Sequence, residues 1–205
     1  MVHRRMCKRA VVEAEELQLK ALMISGHANG SAAEPTSTVR AANGTWLNHR
    51  GRPNFARIHR NLQFAIGNAL NLEAAEPWQI LSYNANGYYA PHYDYLDPNT
   101  KGVGIREDGN RIATVLLILQ IAKKGGTTVF PNLDLNIRPK AGDVIVWINF
   151  ETSGNSNART LHAACPIKEG VKIGATLWVR SKKQELSLPC SLSEDHFLTD
   201  NFFAS

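Results

Sequence analysis

The order of helical and strand-like patterns limits this chain to few folds. Helical patterns occur only before Pro77, and short apolar runs bounded by Asn, Gly, Pro and Asp follow it. The predicted strands are residues 78–83, 111–121, 126–130, 143–149, 158–164 and 172–180. Because no helical pattern separates them, we expect an antiparallel sandwich or barrel with helices packed outside, an α+β fold that is mainly β.

Two amphipathic helices are predicted, over residues 10–24 and from Pro53 to Leu70, and each needs a larger surface on which to bury its apolar stripe. Residues 25–45, rich in Gly, Ser, Ala, Asn and Pro, predict a loop. The apolar run 144–148 does not alternate, so both faces of that strand are expected to be covered.

The length of 205 residues suits one domain with irregular ends. We expect an N-terminal helix and flexible loop over residues 1–44, a single domain over 45–184 and a polar C-terminal tail over 185–205.

The net charge of +5 comes from 23 basic and 18 acidic residues that are mostly dispersed. The one basic cluster, within residues 4–9, is interpreted as a solvated tail, and nucleic acid is not an expected partner, because a continuous stripe of cations is missing. No apolar run approaches the roughly 20 residues of a membrane-spanning helix. The first residues lack the apolar stretch of a secretory signal, which predicts a cytosolic protein or a chain without its natural amino terminus.

The segment from Tyr88 to Tyr95 has the strongest chemical character. His92 and Asp94 are two residues apart, so both side chains lie on one face of an extended backbone and can supply two ligands to a metal ion. His162, in a later strand, is the candidate for a third ligand. Two imidazoles and one carboxylate are typical of non-haem Fe(II) oxygenases. The alternative at this point is that His162 is a hydrogen-bonded core histidine.

The last predicted strand alternates over residues 172–180. Lys172, Gly174, Thr176 and Trp178 share one face with Arg180, and the opposite face is entirely apolar. A buried lysine is costly unless it is paired, and the carboxylate of an anionic ligand would satisfy it. The polar face is therefore interpreted as the wall of a cavity, with a solvent-exposed Lys172 at the strand end as the alternative.

These residues lie within motifs that resemble one family in order and in sequence. The motifs are HYD, GNRIATVLLIL, GGTTVFP, PKAGDVIVWIN, LHAACP and VKIGATLW. Together they resemble the prolyl 4-hydroxylases, above all the collagen-type α subunit and its plant and algal relatives, from about Thr45 to Cys190. The resemblance implies an Fe(II)- and 2-oxoglutarate-dependent dioxygenase with a double-stranded β-helix (jelly-roll) core.

The family's functional positions map onto this sequence by their motifs. The resemblance implies that His92, Asp94 and His162 bind iron and that Lys172 binds the distal carboxylate of 2-oxoglutarate. Tyr83 resembles the tyrosine beside the cosubstrate. Trp178 matches an aromatic position on the last core strand, and Thr176 lies on the same predicted cavity wall.

Three residues depart from the family pattern: Arg180, Ile173 and Leu177 stand where collagen-type members usually have histidine, tryptophan and lysine. These departures predict altered cosubstrate affinity and coupling, with the same type of reaction. Cys165 and Cys190 fall where the family has a disulfide, which implies the endoplasmic reticulum lumen.

The resemblance also implies cofactors and partners. L-ascorbate would keep the iron reduced, the substrate would be a Pro-rich or procollagen-like peptide, and a disulfide-isomerase-like β subunit is a possible partner. Aromatic residues at Tyr88, Tyr89, Tyr93 and Trp147 are candidates for a peptide groove, with ordinary packing as the alternative. Alternative functions are a dioxygenase on another substrate and a catalytically inactive binding subunit.

Overall fold

The computed structural model describes residues 1–21, 24–25, 38–66, 69–99, 104–151 and 153–184. The described helices are α1 (Arg4–Glu15), α2 (Pro53–Ile66) and α3 (Ile105–Asp108), with 3-10 turns at Leu72–Ala74, Pro131–Leu133 and Ala158–Thr160. The described strands are β1 (Lys20–Ala21), β2 (Ile24–Ser25), β3 (Thr38–Ala41), β4 (Asn43–Leu47), β5 (Trp78–Tyr83), β6 (Tyr88–His92), β7 (Arg111–Gln120), β8 (Lys124–Gly125), β9 (Thr128–Phe130), β10 (Leu135–Ile137), β11 (Val144–Ile148), β12 (His162–Ala164), β13 (Ile167–Glu169) and β14 (Lys172–Arg180).

The strands form two main antiparallel sheets. The first sheet has the order β1-β4-β5-β14-β7-β11, the second has the order β10-β9-β12-β6-β3-β2, and β13 pairs with β8. Residues from both main sheets line one common pocket, so the inner faces of the sheets face each other across it. This is the predicted mainly-β jelly-roll architecture.

The main hydrophobic core lies between the outer face of the first sheet and the helices. Residues of α1 and α2, such as Ala10 and Phe55, pack with the outward side chains of β5, β7 and β14. The buried carboxylate of Glu13 in α1 accepts hydrogen bonds from the backbone N–H groups of Asn54 and Phe55 and so caps the start of α2. The predicted packing of N-terminal helices on one face is confirmed.

The first predicted helix, over residues 10–24, is wrong in its bounds, because α1 spans Arg4–Glu15. His3 Nδ1 accepts the N–H of Arg5 at 3.2 Å and caps the helix, and Gln18 adopts a left-handed φ of 52° after it ends. The cluster of basic residues is solvent-exposed as predicted, although it lies on this helix.

The predicted loop over residues 25–45 is wrong in its second part, where β3 and β4 form; residues 26–37 lie outside the described part of the chain. The predicted domain boundary between residues 44 and 45 falls within β4. Buried residues of α1, which lies before that boundary, belong to the same hydrophobic core as the first sheet. The division of the chain at residues 44 and 184 stays a prediction. No helix of the described residues is long and apolar enough to cross a membrane.

The strands at the centre of the first sheet agree best with the sequence pattern. β5 and β14 have the predicted bounds, and β14 lies between β5 and β7. β11 is at the sheet edge; Val144 and Val146 pack against the main core and Trp147 lines the pocket, so side chains on both faces of this strand have partners, although residues 144–146 are only partly buried. The segment 158–164 begins as a 3-10 turn before β12.

Candidate functional site

The two predicted histidine ligands come from neighbouring strands of the second sheet. His92 ends β6, His162 begins β12, and the antiparallel pairing places the two residues directly opposite each other. Their ring centroids are 4.2 Å apart. Strand pairing therefore joins two residues that lie 70 positions apart in the sequence.

Asp94 completes the cluster from the bend that follows β6, where its side chain is buried. Its Oδ1 lies 3.7 Å from His92 Nε2, and its Oδ2 lies 3.6 Å from His162 Nε2. One ligand atom of each residue lies within 4.8 Å of the others. The structure thus brings together His92, Asp94 and His162, a donor set of two nitrogens and one carboxylate that suits a ferrous ion.

Backbone carbonyls fix the orientation of both imidazoles. His92 Nδ1 lies 2.8 Å from Ala90 O, and His162 Nδ1 lies 2.9 Å from Thr160 O. Because a carbonyl only accepts, each Nδ1 carries the hydrogen and each Nε2 presents its lone pair to the cluster. Burial, together with the neighbouring His162, lowers the pKa of His92 to about 4, so this ring is neutral at physiological pH.

A hydrogen-bonded chain from the first sheet positions Asp94. Thr114 Oγ1 in β7 donates to Asp94 Oδ2 at 2.7 Å, and Asn149 Nδ2 donates to Thr114 Oγ1 at 3.1 Å. The guanidinium of Arg111 donates to the Asp94 carbonyl at 3.4 Å. The sequence interpretation missed Thr114 and Asn149, although Thr114 is the only polar residue between Ile112 and Leu119, which was a usable signal.

The three candidate ligands line one pocket together with the predicted cosubstrate residues. Four residues predicted for the cosubstrate site line this pocket: Tyr83, Lys172, Thr176 and Trp178. Gly174, between Lys172 and Thr176 on β14, lines it too. A Cβ built on Gly174 would lie 3.3 Å from Leu116 Cδ1, so the glycine keeps this wall open. The opposite face of β14 packs into the main core, which confirms the prediction that this strand has one polar face on a cavity and one apolar face in the core.

Lys172 is inside the fold, and its predicted alternative position in solvent is excluded. The residue is 4% exposed, and Nζ donates to Gly126 O at 2.7 Å and to Thr128 Oγ1 at 3.1 Å. Gly126 is preceded by Gly125, and both have the positive φ that favours glycine, at 73° and 81°. Burial lowers the pKa of Lys172 to about 8.

Tyr83 pairs with Lys172 across β5 and β14, and burial raises the pKa of its hydroxyl. The indole of Trp178 lies on the guanidinium of Arg111, whose Cζ is 3.8 Å from the ring centroid. The indole nitrogens of Trp178 and Trp147 are buried and have no hydrogen-bond partner among the described residues. Both tryptophans line the pocket.

Two of the residues considered for a peptide groove pack directly on the candidate ligands. The ring of Tyr89 stacks on His92 with centroids 3.6 Å apart, and Trp147 lies 4.7 Å from His162. Tyr93 stacks instead on Tyr95, at 4.9 Å, and both rings are partly exposed.

The three departures from the family pattern lie outside the pocket wall. Ile173 and Leu177 are buried in the core beneath the helices. Arg180 Nε lies 2.8 Å from the carboxylate of Glu76, to which Arg111 also binds, and its Nη1 donates to Gly109 O. Of the predicted disulfide pair, Cys190 lies outside the described residues; Cys7 is a buried free thiol.

Comparison with known proteins places this geometry in a family. Residues 78–180, half of the chain, match the model of the 2OG-Fe(II) oxygenase superfamily. The chain is 36% identical over 163 residues to human prolyl 4-hydroxylase subunit alpha-1 and 34% identical over 167 residues to subunit alpha-2 of Caenorhabditis elegans. These matches cover 78% and 81% of this chain, and in each case the chain spans 30% of the relative's length.

Solved structures support the fold. The viral collagen prolyl hydroxylase of Paramecium Bursaria Chlorella virus-1, in a 2OG complex, superposes with a TM-score of 0.67 at 24% identity, covering 87% of this chain and 91% of that one. A prolyl hydroxylase from Trichoplax adhaerens in complex with a hypoxia inducible factor peptide fragment gives 0.57 at 17% identity, covering 92% and 82%. With the metal-binding triad, the buried lysine and the family match taken together, the chain belongs to the 2OG-Fe(II) oxygenase superfamily.

Proposed function

We propose that this chain is a peptidyl-proline 4-hydroxylase that uses Fe(II) and 2-oxoglutarate. The observation that carries the proposal is the convergence of His92, Asp94 and His162 in the pocket that also holds the buried ammonium of Lys172. The two relatives compared above are, by their names, prolyl 4-hydroxylase α subunits.

The three ligand residues fit a ferrous ion by their chemistry and by their protonation. Both histidines direct an Nε2 lone pair at the cluster, and Asp94 adds one negative charge. Three protein ligands on one face leave positions open for a cosubstrate and for dioxygen. Bound iron supplies the activation of dioxygen, coupled to oxidative decarboxylation of 2-oxoglutarate to succinate and hydroxylation of a substrate C–H bond.

The opposite wall of the pocket fits a dicarboxylate. No ion pair among the described residues includes Lys172, so its charge is buried with only neutral acceptors. Of its three N–H donors, two are used by Gly126 and Thr128, and the third is available for the distal carboxylate of 2-oxoglutarate. Tyr83, Thr176 and the indole N–H of Trp178 are proposed to complete the cosubstrate site.

The protein's own contribution is orientation and exclusion of water. Lys172 fixes the far end of the cosubstrate, so that its 2-oxo acid end points at the three ligands. Tyr89 and Trp147 pack on the two histidines and cover them with aromatic surface. Thr114 holds one oxygen of Asp94, which leaves the other oxygen for the metal.

We propose that the substrate is a proline in an extended, Pro-rich peptide such as procollagen. Such peptides dock on aromatic surfaces with little loss of conformational entropy, and Tyr93 and Tyr95 form a stacked aromatic pair next to Asp94. From the family resemblance we also propose L-ascorbate as the reductant, a disulfide-isomerase-like β subunit as a partner and the endoplasmic reticulum lumen as the location. Pull-down of the β subunit and localisation of the tagged chain would test the last two.

The test of the function is release of succinate from 2-oxoglutarate by the purified chain with Fe(II) and ascorbate, with and without a (Pro-Pro-Gly)-type peptide. Stimulation by the peptide, with a gain of one oxygen atom on proline by mass spectrometry, supports the proposal. A matched peptide with alanine in place of proline should give no stimulation. Succinate release that no proline peptide stimulates would indicate another substrate, and bound 2-oxoglutarate without turnover would indicate an inactive binding subunit.

A further inference from the structure

A second group of metal-binding side chains lies on the helix-covered side of the first sheet. His49 follows β4, His59 lies in α2, and Glu73 lies in the 3-10 turn Leu72–Ala74. One ligand atom of each residue lies within 4.8 Å of the others, and His59 Nε2 is 3.6 Å from Glu73 Oε1. The group is separate from the oxygenase pocket, whose lining contains none of these residues.

His59 lacks the hydrogen bonds that a buried imidazole needs. It is 3% exposed, and neither ring nitrogen has a hydrogen-bond partner among the described residues. Leaving a buried polar atom unpaired costs about 1–3 kcal/mol. Glu73, the nearest carboxylate, is too distant for a direct hydrogen bond but is placed to share an ion with the ring.

A backbone carbonyl fixes the tautomer of His49. Its Nε2 lies 2.8 Å from Glu76 O, so Nε2 donates and Nδ1 keeps a lone pair. The two pocket histidines are held in the same way, with one ring N–H on a backbone carbonyl and the other nitrogen left to bind. A hydrogen bond of this kind fixes the tautomer before any ion arrives.

The carboxylate of Glu73 supplies the negative charge of the group. Burial, followed by the neighbouring His49, lowers the pKa of His59 to about 4. Arg50 approaches Glu73 at 3.7 Å, but its side chain is 83% exposed and such a pair is weak. The side chain of Glu73 is itself 52% exposed, so water can reach a bound ion.

We propose that His49, His59 and Glu73 form a zinc site that is distinct from the iron centre. Two imidazoles and one carboxylate, with water in the fourth position, are a common zinc ligand set, and zinc binds such sites more tightly than ferrous iron does. The two rings are now stacked with centroids 4.1 Å apart, so the half-buried His49 must turn to direct its lone pair at the ion. A bound zinc ion would connect the segment after β4, helix α2 and the 3-10 turn Leu72–Ala74, which carry the three ligands.

The experiment counts zinc on the metal-free full chain by equilibrium dialysis and mass spectrometry of the metal. The wild-type chain should bind two equivalents, because the oxygenase triad also accepts zinc, and His92→Ala should keep one. In the His92→Ala background, His49→Gln and Glu73→Gln should each weaken the remaining site at least about tenfold, as loss of even an outer-shell partner does. His59 is left unchanged because its replacement in the core would compromise folding.

Controls separate this site from surface binding and from the proposed function. Glu15→Gln, an exposed change on α1, should leave zinc binding unaltered. Cobalt(II) in the His92→Ala variant should give visible absorption that His49→Gln removes. If His49→Gln and Glu73→Gln bind zinc and cobalt like their parent, the site is refuted. The count does not depend on turnover, so failure of the hydroxylase assay leaves this result unaffected.

Discussion

Replacing Lys172 by methionine separates the cost of its buried charge from its role in binding. Methionine keeps an unbranched chain of similar length and removes the ammonium. In wild type the ammonium is 4% exposed, and no described carboxylate pairs with it. We therefore expect the substitution to abolish tight cosubstrate binding, while the gain from removing the charge partly or fully offsets the loss of two hydrogen bonds in the metal-free fold.

The size of the stability effect follows from the pKa of Lys172. Burial lowers this pKa from 10.5 to about 8, which at 1.36 kcal/mol per unit disfavours the charged folded state by about 3 kcal/mol at pH 7. The variant loses that cost. It also leaves Gly126 O and the Thr128 hydroxyl unpaired, which costs about 1–3 kcal/mol for each of the two groups. The net change in free energy of unfolding at pH 7 is therefore expected between about 1 kcal/mol of stabilisation and about 3 kcal/mol of destabilisation.

The pH dependence gives a sharper result, because the hydrogen-bond contribution does not titrate. Between pH 8 and 10.5 the unfolded chain holds a proton that folded Lys172 has lost, so wild-type stability from this group rises with pH. The methionine variant lacks this rise. The difference in free energy of unfolding between the two proteins should thus shift by about 3 kcal/mol across that window, in favour of wild type.

Urea unfolding of the metal-free proteins at several pH values measures this difference, and Lys168→Met is a matched exposed control. In the succinate assay, loss of one charge-assisted hydrogen bond of about 1.5–3 kcal/mol should raise the 2-oxoglutarate requirement by about 10- to 150-fold. If Lys172→Met needs the same concentration of 2-oxoglutarate for turnover as wild type does, Lys172 is not the carboxylate anchor. If the difference in free energy of unfolding between wild type and Lys172→Met is the same at pH 8 and at pH 10.5, the buried charge is refuted.

Three further substitutions test other parts of the structure. Asp94→Ala should abolish turnover and iron binding together, measured by succinate release and by the metal content after dialysis; turnover with normal rate would rule out the triad. Thr114→Val, which removes the hydroxyl from Asp94 Oδ2 at 2.7 Å, should weaken iron binding about 10- to 100-fold, whereas Thr114→Ser should restore it. Glu13→Ala removes the cap on α2 and should cost about 1–3 kcal/mol, or several degrees of Tm, with the exposed Glu15→Ala as the control.

The sequence predicted four strands of the first sheet well, β5, β7, β11 and β14, because their patterns record burial on two different faces, whereas β1 and β4 were missed. In β14 the apolar positions pack under the helices, while Lys172, Thr176 and Trp178 face the pocket. The bounds of α1 were not predictable from periodicity alone. Its first turn is basic and contains little apolar material, and the helix is fixed by the His3 cap and by Glu13, whose partners lie about 40 residues away.

The strand that carries His92 was missed because its sequence, YYAPH, does not alternate and contains Pro91. Proline is tolerated where pairing is irregular, and β6 and β12 shift register next to this residue. That pairing, which places His162 opposite His92, depends on the whole sheet and leaves no local signal. The spacing of His92 and Asp94 therefore indicated two ligands, whereas the third needed either a family resemblance or the fold.

The site depends on the contact between the two sheets. The second sheet supplies His92 and His162, whereas the first supplies Lys172. Two sets of hydrogen bonds join these halves: Thr114 in the first sheet binds Asp94, and Lys172 binds Thr128 in the second. The distance between the candidate metal ligands and the proposed cosubstrate anchor therefore depends on how the two sheets pack. We therefore expect Thr114 in β7 and Lys172 in β14 to affect the geometry of the site, although neither strand supplies a candidate metal ligand.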